Sequence, residues 1–572
     1  MDSDISPAGP LDARISRRAL LGAGATAGLG AGLAYAVGTE TYAAAAGKAG
    51  IGLGPGGSLL KPDSRPYPKL PAGTDTLPQI EHIVVIMMEN HSFDDHLGML
   101  GRGDGLTLDA SGRPVNYNPD PAGGYVQSFH NPNTCGESNS DIGQSWNASH
   151  TCWDNGTNMG FVKGCSGAAM GYWTADDLPF YYDMARQFPI GDRYFCSVMA
   201  QTYPNRRFLI AGTALGDIAT NSTGISSTNP PNGTIFERLD HYDISWKDYR
   251  PDLPTIALFL PSFTANESKV VPFHEFFADA ASGNLPSVSL IDPYVNYSEE
   301  SGDISIGEAY ASEFINAVLR GPKWDKTALI WIYDEHGGWY DHVPPVPMVK
   351  PDNVAPQLQP GDLPGAYNYS GFRVPCCVVS AWAKKDYVSH QVFDHTSILK
   401  FIETKWNLPA LTFRDANARN MLDFFDLTAH EPPFAEAPRL VSPRNPFPST
   451  AVMPDTSLVK DTGFRPICQD LPAGSLPPPS AKLNALQPDS KGLLARHART
   501  IQDEITEQDD ALAGIPLGHG ATGTSAGLIG GIVGGVVVLG AGGALALRRR
   551  RTSAPSPKAT APDDRATPPA EE

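Results

Sequence analysis

Two short clusters of oxygen-bearing side chains stand directly behind apolar runs, the place where a parallel sheet presents residues to a ligand. Glu89-Asn90-His91-Ser92 follows His82–Met88, and Asp334-Glu335-His336 follows Thr327–Tyr333, with Asp341-His342 a few residues on. Carboxylates and a carboxamide oxygen are the donors that hard divalent cations take. A single Asp at a strand end is ordinarily a turn or cap residue, but here two clusters recur and one holds three ionisable groups in a row. Asp334 and Glu335 buried side by side would cost several kcal/mol through repulsion and desolvation, and a cation removes that cost. In a third segment, Gln201-Thr202-Tyr203-Pro204-Asn205-Arg206, Pro204 fixes its own φ and biases Tyr203 towards extended backbone, so the Thr202 hydroxyl is expected at a tight corner. On its residues alone that corner is an ordinary turn.

The elements that must carry these groups are short and apolar. His82–Met88, Thr255–Leu260, Ser287–Ile291, Thr327–Tyr333 and Val374–Ser380 each suit a strand buried on both faces. Helical spacing lies between several of them, as in Gly307–Arg320, where Ala309, Phe314, Ile315 and Val318 share a face, and in Thr396–Trp406. Strand alternating with helix predicts an α/β fold, a mostly parallel sheet with helices on both faces. No internal repeat and no second folded domain is evident.

Four motifs occur in order along the body: Glu89-Asn90-His91-Ser92-Phe93-Asp94, Thr202-x-Pro204-Asn205-Arg206, the thirteen residues Tyr333–Pro345, and Asp394-His395-Thr396-Ser397. Together they resemble the bacterial phosphoesterase family of phosphatidylcholine-type phospholipases C and related acid phosphatases, over about Ile80 to Leu427. The resemblance implies an alkaline-phosphatase-like fold, a single large domain and a covalent phosphoryl-enzyme mechanism. By motif position, Glu89, Asn90, Asp334 and Glu335, with Thr202, are implied to hold a divalent metal ion (Ca, Mg, Mn or Zn). Thr202 takes the nucleophile's place, where phosphatase relatives carry serine. His150, in Trp146-Asn147-x-x-His150, matches a histidine that contacts the phosphate. His336, His342 and His395 are candidates for proton transfer; His336 and His342 are alternatively partners that orient Glu335 or Asp341, and His395 a packing residue. Asn205, Arg206, Asp303 and Asp341 complete the set as candidate substrate contacts. The chain departs from the family in one stretch: Asn296–Asp303 lacks the family's histidine before the helix beginning Gly307-Glu308. That departure touches phosphatidylcholine cleavage more than the phosphoester reaction itself.

Composition bounds the partners. The chain has 572 residues, 41% of them hydrophobic, enough for a large core, and a net charge of -19 that disfavours DNA or RNA as a partner. Seven cysteines, none in a C-x-x-C pair, give no zinc-thiolate signature; a bridge is expected among Cys135, Cys152 and Cys165, and packed thiols at Cys376 and Cys377. Ser16-Arg17-Arg18-Ala19-Leu20-Leu21 with the small-residue run to Ala46 reads as a twin-arginine export signal over 1–46. Residues 47–78 read as a linker, 79–470 as the catalytic domain and 471–524 as a Pro/Ala/Gly-rich stalk. Residues 525–547 carry no charge and precede four arginines, the pattern of a membrane span with 548–572 as a cytoplasmic basic tail. The expectation is an exported, membrane-tethered monomer whose catalytic domain is extracellular and whose substrate is a phospholipid or phosphoester. Its activity would be that of a phospholipase C, releasing diacylglycerol and a phosphorylated headgroup. A phosphomonoesterase is the alternative within the fold, and a non-catalytic surface-binding protein the alternative outside it. The aromatics Trp146, Trp153, Tyr172 and Trp173 are a candidate cage for a quaternary ammonium headgroup.

Overall fold

Strands rich in Val and Ile that are buried along their whole length need cover on both faces and hydrogen bonds on both edges, and the chain provides them in one large sheet. The computed structural model describes residues 59–135, 142–221, 224–250, 253–293, 303–444 and the pair 482–483. The sheet contains β1 (His82–Met88), β2 (Ile190–Gly191), β3 (Trp246–Arg250), β4 (Val270–Pro272), β5 (Val288–Ile291), β6 (Thr327–Tyr333), β7 (Cys376–Ser380) and β8 (Val388–Ser389). Their order is β8-β2-β7-β6-β1-β5-β3-β4. β7 alone runs against its neighbours β6 and β2, and the remaining pairs are parallel. Every residue of β1, β5, β6 and β7 is buried. The mostly parallel α/β architecture expected from the alternating pattern is therefore present.

Register decides what the sheet can do. β1 and β6 lie side by side with His82 opposite Thr327 and Met88 opposite Tyr333, so the two strands end level and Glu89 and Asp334 emerge together. β5 flanks β1 on its other edge, with Ile291 opposite Ile86, which adds Asp292 at the same rim.

The helices used below are α1 (Phe93–Leu97), α2 (Trp146–Trp153), α3 (Phe161–Cys165), α4 (Thr202–Ala211), α5 (Ile304–Arg320) and α6 (His395–Trp406). α5 starts three residues earlier than the apolar spacing indicates, because Asp303 caps it, accepting from Ser305 N at 3.0 Å. Glu308, on the same helix, caps a second one: its Oε1 accepts from Phe180 N at 2.8 Å and Tyr181 N at 3.0 Å at the start of Pro179–Gln187. α2 and α3 are joined by a Cys152–Cys165 disulfide and pack with Phe161, Tyr340 and Phe372 in a small cluster beside the main core. Cys376 and Cys377 are buried free thiols, as expected for a core strand.

One expected strand is absent, and two segments read as lying outside the folded body touch it. Thr255–Leu260 is not a strand: Thr255–Leu258 is a 3₁₀ turn that runs into a helix at Leu260. Prolines at 254 and 261 fit helix starts and do not supply the N–H groups of a central strand. Residues 59–78 are not a free linker. Their backbone is tied to the far end of the domain, with Tyr67 N donating to Asn407 Oδ1 (2.9 Å), Leu60 N to Asn417 Oδ1 (2.8 Å) and Thr76 N to Lys405 O (2.8 Å). Within the expected stalk, Lys482–Leu483 pairs antiparallel with Tyr125–Val126. The leader 1–46, the stretch 294–302 and the apolar segment 525–547 lie outside the described residues. Among those described, no helix is long and apolar enough to cross a membrane.

Candidate functional site

The level ends of β1 and β6 turn towards each other immediately. Asn90 takes a left-handed conformation (φ 71°), as does Gly337 (φ 64°), and the two loops touch: a Cβ on Gly337 would lie 1.8 Å from the Asn90 carbonyl oxygen. Only glycine permits that approach. Asn90 N and Glu335 N both donate to Asp334 Oδ1, at 3.2 and 2.7 Å, and Gly337 N donates to Glu335 Oε2 at 2.7 Å. Short-range hydrogen bonds thus fix three of the expected ligands.

The nucleophile candidate arrives from α4. Thr202 is the first residue of that helix, so Tyr203 is helical and not extended as the following proline suggested. Pro204 sits in the first turn, where its missing N–H leaves no hydrogen bond broken. Thr202 Oγ1 lies 3.4 Å from Asn90 Oδ1. One turn along the same face, Arg206 reaches all three strand ends: Nη2 to Glu89 Oε1 (3.1 Å), Nη1 to Asp292 Oδ1 (2.9 Å) and Nε to Asp334 Oδ2 (3.3 Å). Asp292 was missed by the motif reading, although it directly follows an apolar run and the rule that found Glu89 and Asp334 also points to it. It also accepts from Thr255 N and Thr255 Oγ1, at 2.7 and 2.6 Å.

The electrostatics leave buried negative charge only partly offset. Burial, reinforced by Glu89 and Glu335 and opposed by Arg206, pushes the Asp334 carboxyl well above its ordinary pKa. Burial, opposed by the Gly337 N–H and reinforced by Glu89, lifts Glu335 to about 8. One guanidinium does not balance this much buried carboxylate. Glu335 Oε1 is buried with no hydrogen-bond partner, as is Asn90 Nδ2. A donor set of carboxylates, one amide oxygen and one hydroxyl, with an orphaned buried carboxylate oxygen, fits a hard divalent cation.

The remaining candidates separate into other tasks. Asn205 holds the loop before Thr202 and does not face a substrate: its Oδ1 accepts from Ser197 N and Val198 N (2.8 and 3.0 Å), and its Nδ2 donates to Val198 O, Ala200 O and Gln201 O. Asp303 is the cap of α5. His395 packs with one nitrogen 2.7 Å from Asp334 O and the other 3.2 Å from Tyr194 Oη, so it positions the loop that follows β6, and burial lowers its pKa to about 4. His336 Nδ1 is 3.3 Å from Glu335 Oε2, the contact of an orienting partner, and burial lowers its pKa to about 3. His150 sits in α2 with Nδ1 2.8 Å from Trp146 O and its ring against Trp146, centroids 4.1 Å apart. The candidate aromatic cage does not assemble: Trp173 packs against His91 and Trp339, Tyr172 against His130, and Trp153 against Tyr369.

His342 and Asp341 belong to a second buried network. Arg373 Nε donates to Asp341 Oδ1 and Arg373 Nη2 to Asp94 Oδ1, each at 2.9 Å. His342 Nδ1 lies 2.7 Å from Asp94 Oδ2 and Nε2 lies 3.2 Å from Asp104 Oδ1. Arg373 and His342, with Arg193 2.7 Å from Asp104 Oδ2, offset these three carboxylates. A third group, His91, Asp95 and His96, closes on itself, with Asp95 oxygens 2.6 and 3.2 Å from the two imidazoles. Burial alone would lower the His342 pKa, but Asp94 and Asp104 hold its proton and lift it to about 9. A pKa raised on folding gives stability that is complete below the unfolded value of about 6.5 and lost as the pH climbs through about 9. His342→Gln is therefore expected to flatten the alkaline fall in stability. Urea midpoints measured across that range check it, and parallel curves for the two proteins would refute the linkage.

Comparison with known proteins places the chain in a family. The sequence profile of the phosphoesterase family matches residues 80–409. Phospholipase C B of Mycobacterium tuberculosis is 30% identical, covering 64% of this chain and 81% of its own. The non-hemolytic phospholipase C of Burkholderia pseudomallei is also 30% identical, covering 61% and 58%. A solved protein of the alkaline phosphatase superfamily from Vibrio parahaemolyticus aligns over 64% of this chain and 72% of its own, at 10% identity and a TM-score of 0.30, a likeness too loose to add to the strand order described above. With a profile match across most of the sheet and its rim, the chain belongs to the phosphoesterase family.

Proposed function

We propose that the protein is a phospholipase C that hydrolyses the glycerol-side phosphodiester of phospholipids through Thr202, releasing diacylglycerol and a phosphorylated headgroup. The observation that carries this reading is the convergence of three strand ends on Arg206 of α4, one turn from the Thr202 hydroxyl that lies 3.4 Å from Asn90 Oδ1 and lines the same cavity. A divalent cation held by Glu89, Asn90, Asp334 and Glu335 would supply Lewis acidity, lowering the pKa of a hydroxyl in its reach and neutralising phosphoryl charge. The positive end of α4 and the Arg206 guanidinium favour an anion at Thr202. Thr202 Oγ1 bonds to phosphorus, the bond from phosphorus to the glycerol oxygen breaks, and that oxygen leaves protonated. Water then cleaves the phosphothreonine ester, restoring the hydroxyl and freeing the phosphorylated headgroup. His336 acts in this scheme by orienting Glu335.

Arg17-Arg18 and the small-residue run support export by the twin-arginine route, and the uncharged stretch 525–547 followed by four arginines supports a tether with the catalytic domain outside. One experiment tests both. Intact bacteria expressing the full chain are expected to hydrolyse added phosphatidylcholine vesicles, with the activity sedimenting with membranes and abolished by a chelator. Activity confined to the cytosol would overturn the location alone. Hydrolysis of p-nitrophenyl phosphate but of no lipid would favour the phosphomonoesterase, and hydrolysis of neither would overturn the enzyme.

A further inference from the structure

Two segments, Gln201–Tyr203 and Ala219–Asn221, divide the space beside the nucleophile into cavities of different chemistry. Thr202, Tyr203 and Thr220 face a cavity of about 230 Å³ walled by Leu253, Pro254 and Leu258, with Glu89 and Arg206 at its base. Gln201, Ala219 and Asn221 face a second cavity of about 570 Å³. The partition is pinned by Thr220: its N–H donates to Gln201 Oε1 at 3.0 Å, and its Oγ1 accepts from Tyr203 N at 3.1 Å. A phosphodiester held at Thr202 has two arms, and this wall sends them to different sides.

We infer that the larger cavity binds the headgroup and selects an uncharged polyhydroxyl one, of the glycerol or inositol class, while the apolar cavity takes the acylglycerol arm; this rests on the phospholipase C reading above. Leu253, 44% exposed on the apolar side, suits the acyl-bearing arm. The larger cavity is lined by the carboxamides of Gln201, Asn147, Gln357 and Gln359 and by the Trp146 ring. Asn147 is spent on Gly361 O, Asp362 Oδ1 and Leu363 N, Gln201 Oε1 on Thr220 N and Gln359 Nε2 on Gln357 O, which leaves the Gln357 carboxamide, Gln201 Nε2 and Gln359 Oε1 to pair with the hydroxyls of a polyol, which both donate and accept. A trimethylammonium group does neither, and would leave those groups unpaired on desolvation.

Asp217 lies 3.6 Å from Arg207 Nη1, so its charge is offset. Asp362 accepts from Gln359 N at 2.6 Å and Asn147 Nδ2 at 3.3 Å, neutral donors that leave its charge in place, and its oxygens can also accept from a hydroxyl. Arg207 is the cation lining this cavity among the described residues. Its Nη1 and Nη2 donate to Ala214 O and Gly224 O, which leaves little for a second phosphate.

The test uses the full chain with a divalent cation, on dihexanoyl phosphatidylglycerol, phosphatidylinositol and phosphatidylcholine below their micelle concentrations, which removes surface charge as a variable. An aryl phosphodiester reports headgroup-independent activity. The expected result is a kcat/KM at least about tenfold higher for the two polyol lipids than for phosphatidylcholine. Gln357→Leu and, separately, Gln359→Leu are expected to erase that advantage without changing hydrolysis of phosphatidylcholine or the aryl diester, at unchanged Tm. Equal or greater hydrolysis of phosphatidylcholine would overturn the inference and leave the phospholipase reading standing. A polyol preference untouched by both variants would overturn the assignment to this cavity. Cleavage of the aryl diester with no lipid turned over would overturn the phospholipase reading and the inference with it.

Discussion

Thr202→Ala is expected to reduce phosphoester hydrolysis by about 10⁴-fold or more while leaving the fold in place. The size of the effect follows from covalent catalysis, since the methyl group of alanine cannot form the phosphoryl ester and no second hydroxyl occupies its position. The fold is spared because Thr202 contributes little to it: its Oγ1 makes one long contact, 3.4 Å to Asn90 Oδ1, and the residue lines a cavity. Thr202→Ser keeps the hydroxyl and is expected to retain activity within about tenfold. Rapid-quench mass spectrometry of the wild-type protein with substrate should find the phosphoryl group on the peptide carrying Thr202. An alanine variant that turns over at a tenth of the wild-type rate would remove Thr202 from the mechanism.

The second large effect is on stability. Arg206 is buried and pairs with Glu89, Asp292 and Asp334, and it also donates to Met87 O at 3.2 Å. Burial opposes its charge, but those carboxylates override burial and raise its pKa. Removing one member of a buried ionic network strands the rest, which costs about 3–5 kcal/mol. Arg206→Met should therefore lower the urea midpoint markedly in metal-free buffer. A saturating divalent cation should restore much of the loss, because it supplies positive charge to the same carboxylates and binds only the folded state. Arg206→Lys should recover little, since an ammonium cannot reach three acceptors in different directions. A deficit in Arg206→Met that no divalent cation reduces would show that the carboxylates do not form a cation site.

Strand pairing explains how much of this was legible. β1 and β6 are continuous apolar runs with chemistry at their ends, so both the strands and the residues behind them stand out locally. The metal-side set is local in that sense: Glu89, Asn90, Asp334 and Glu335 are each a step or two from a readable strand. Asp292 was equally readable but sits in no dense cluster. Arg373 and Asp104 carry no local mark at all, because their partners Asp94, Asp341 and His342 come from distant segments. β2 and β8 are two residues each, too short for any periodicity, and β4 ends in proline at the sheet edge. Thr255–Leu258 misleads for a physical reason: a buried 3₁₀ turn needs the same apolar residues as a buried strand, and only the flanking prolines distinguish them.

The strap formed by residues 59–78 sets an order of events during synthesis. Tyr67 closes on Asn407 and Leu60 on Asn417, across 340 and 357 residues of sequence. At about 5–20 residues per second the ribosome needs tens of seconds to cover that distance. The N-terminal end of the domain must wait, unlatched, until its docking partner emerges. Latching of this strap is therefore a late event in the making of the domain, governed by the arrival of residues 407–417.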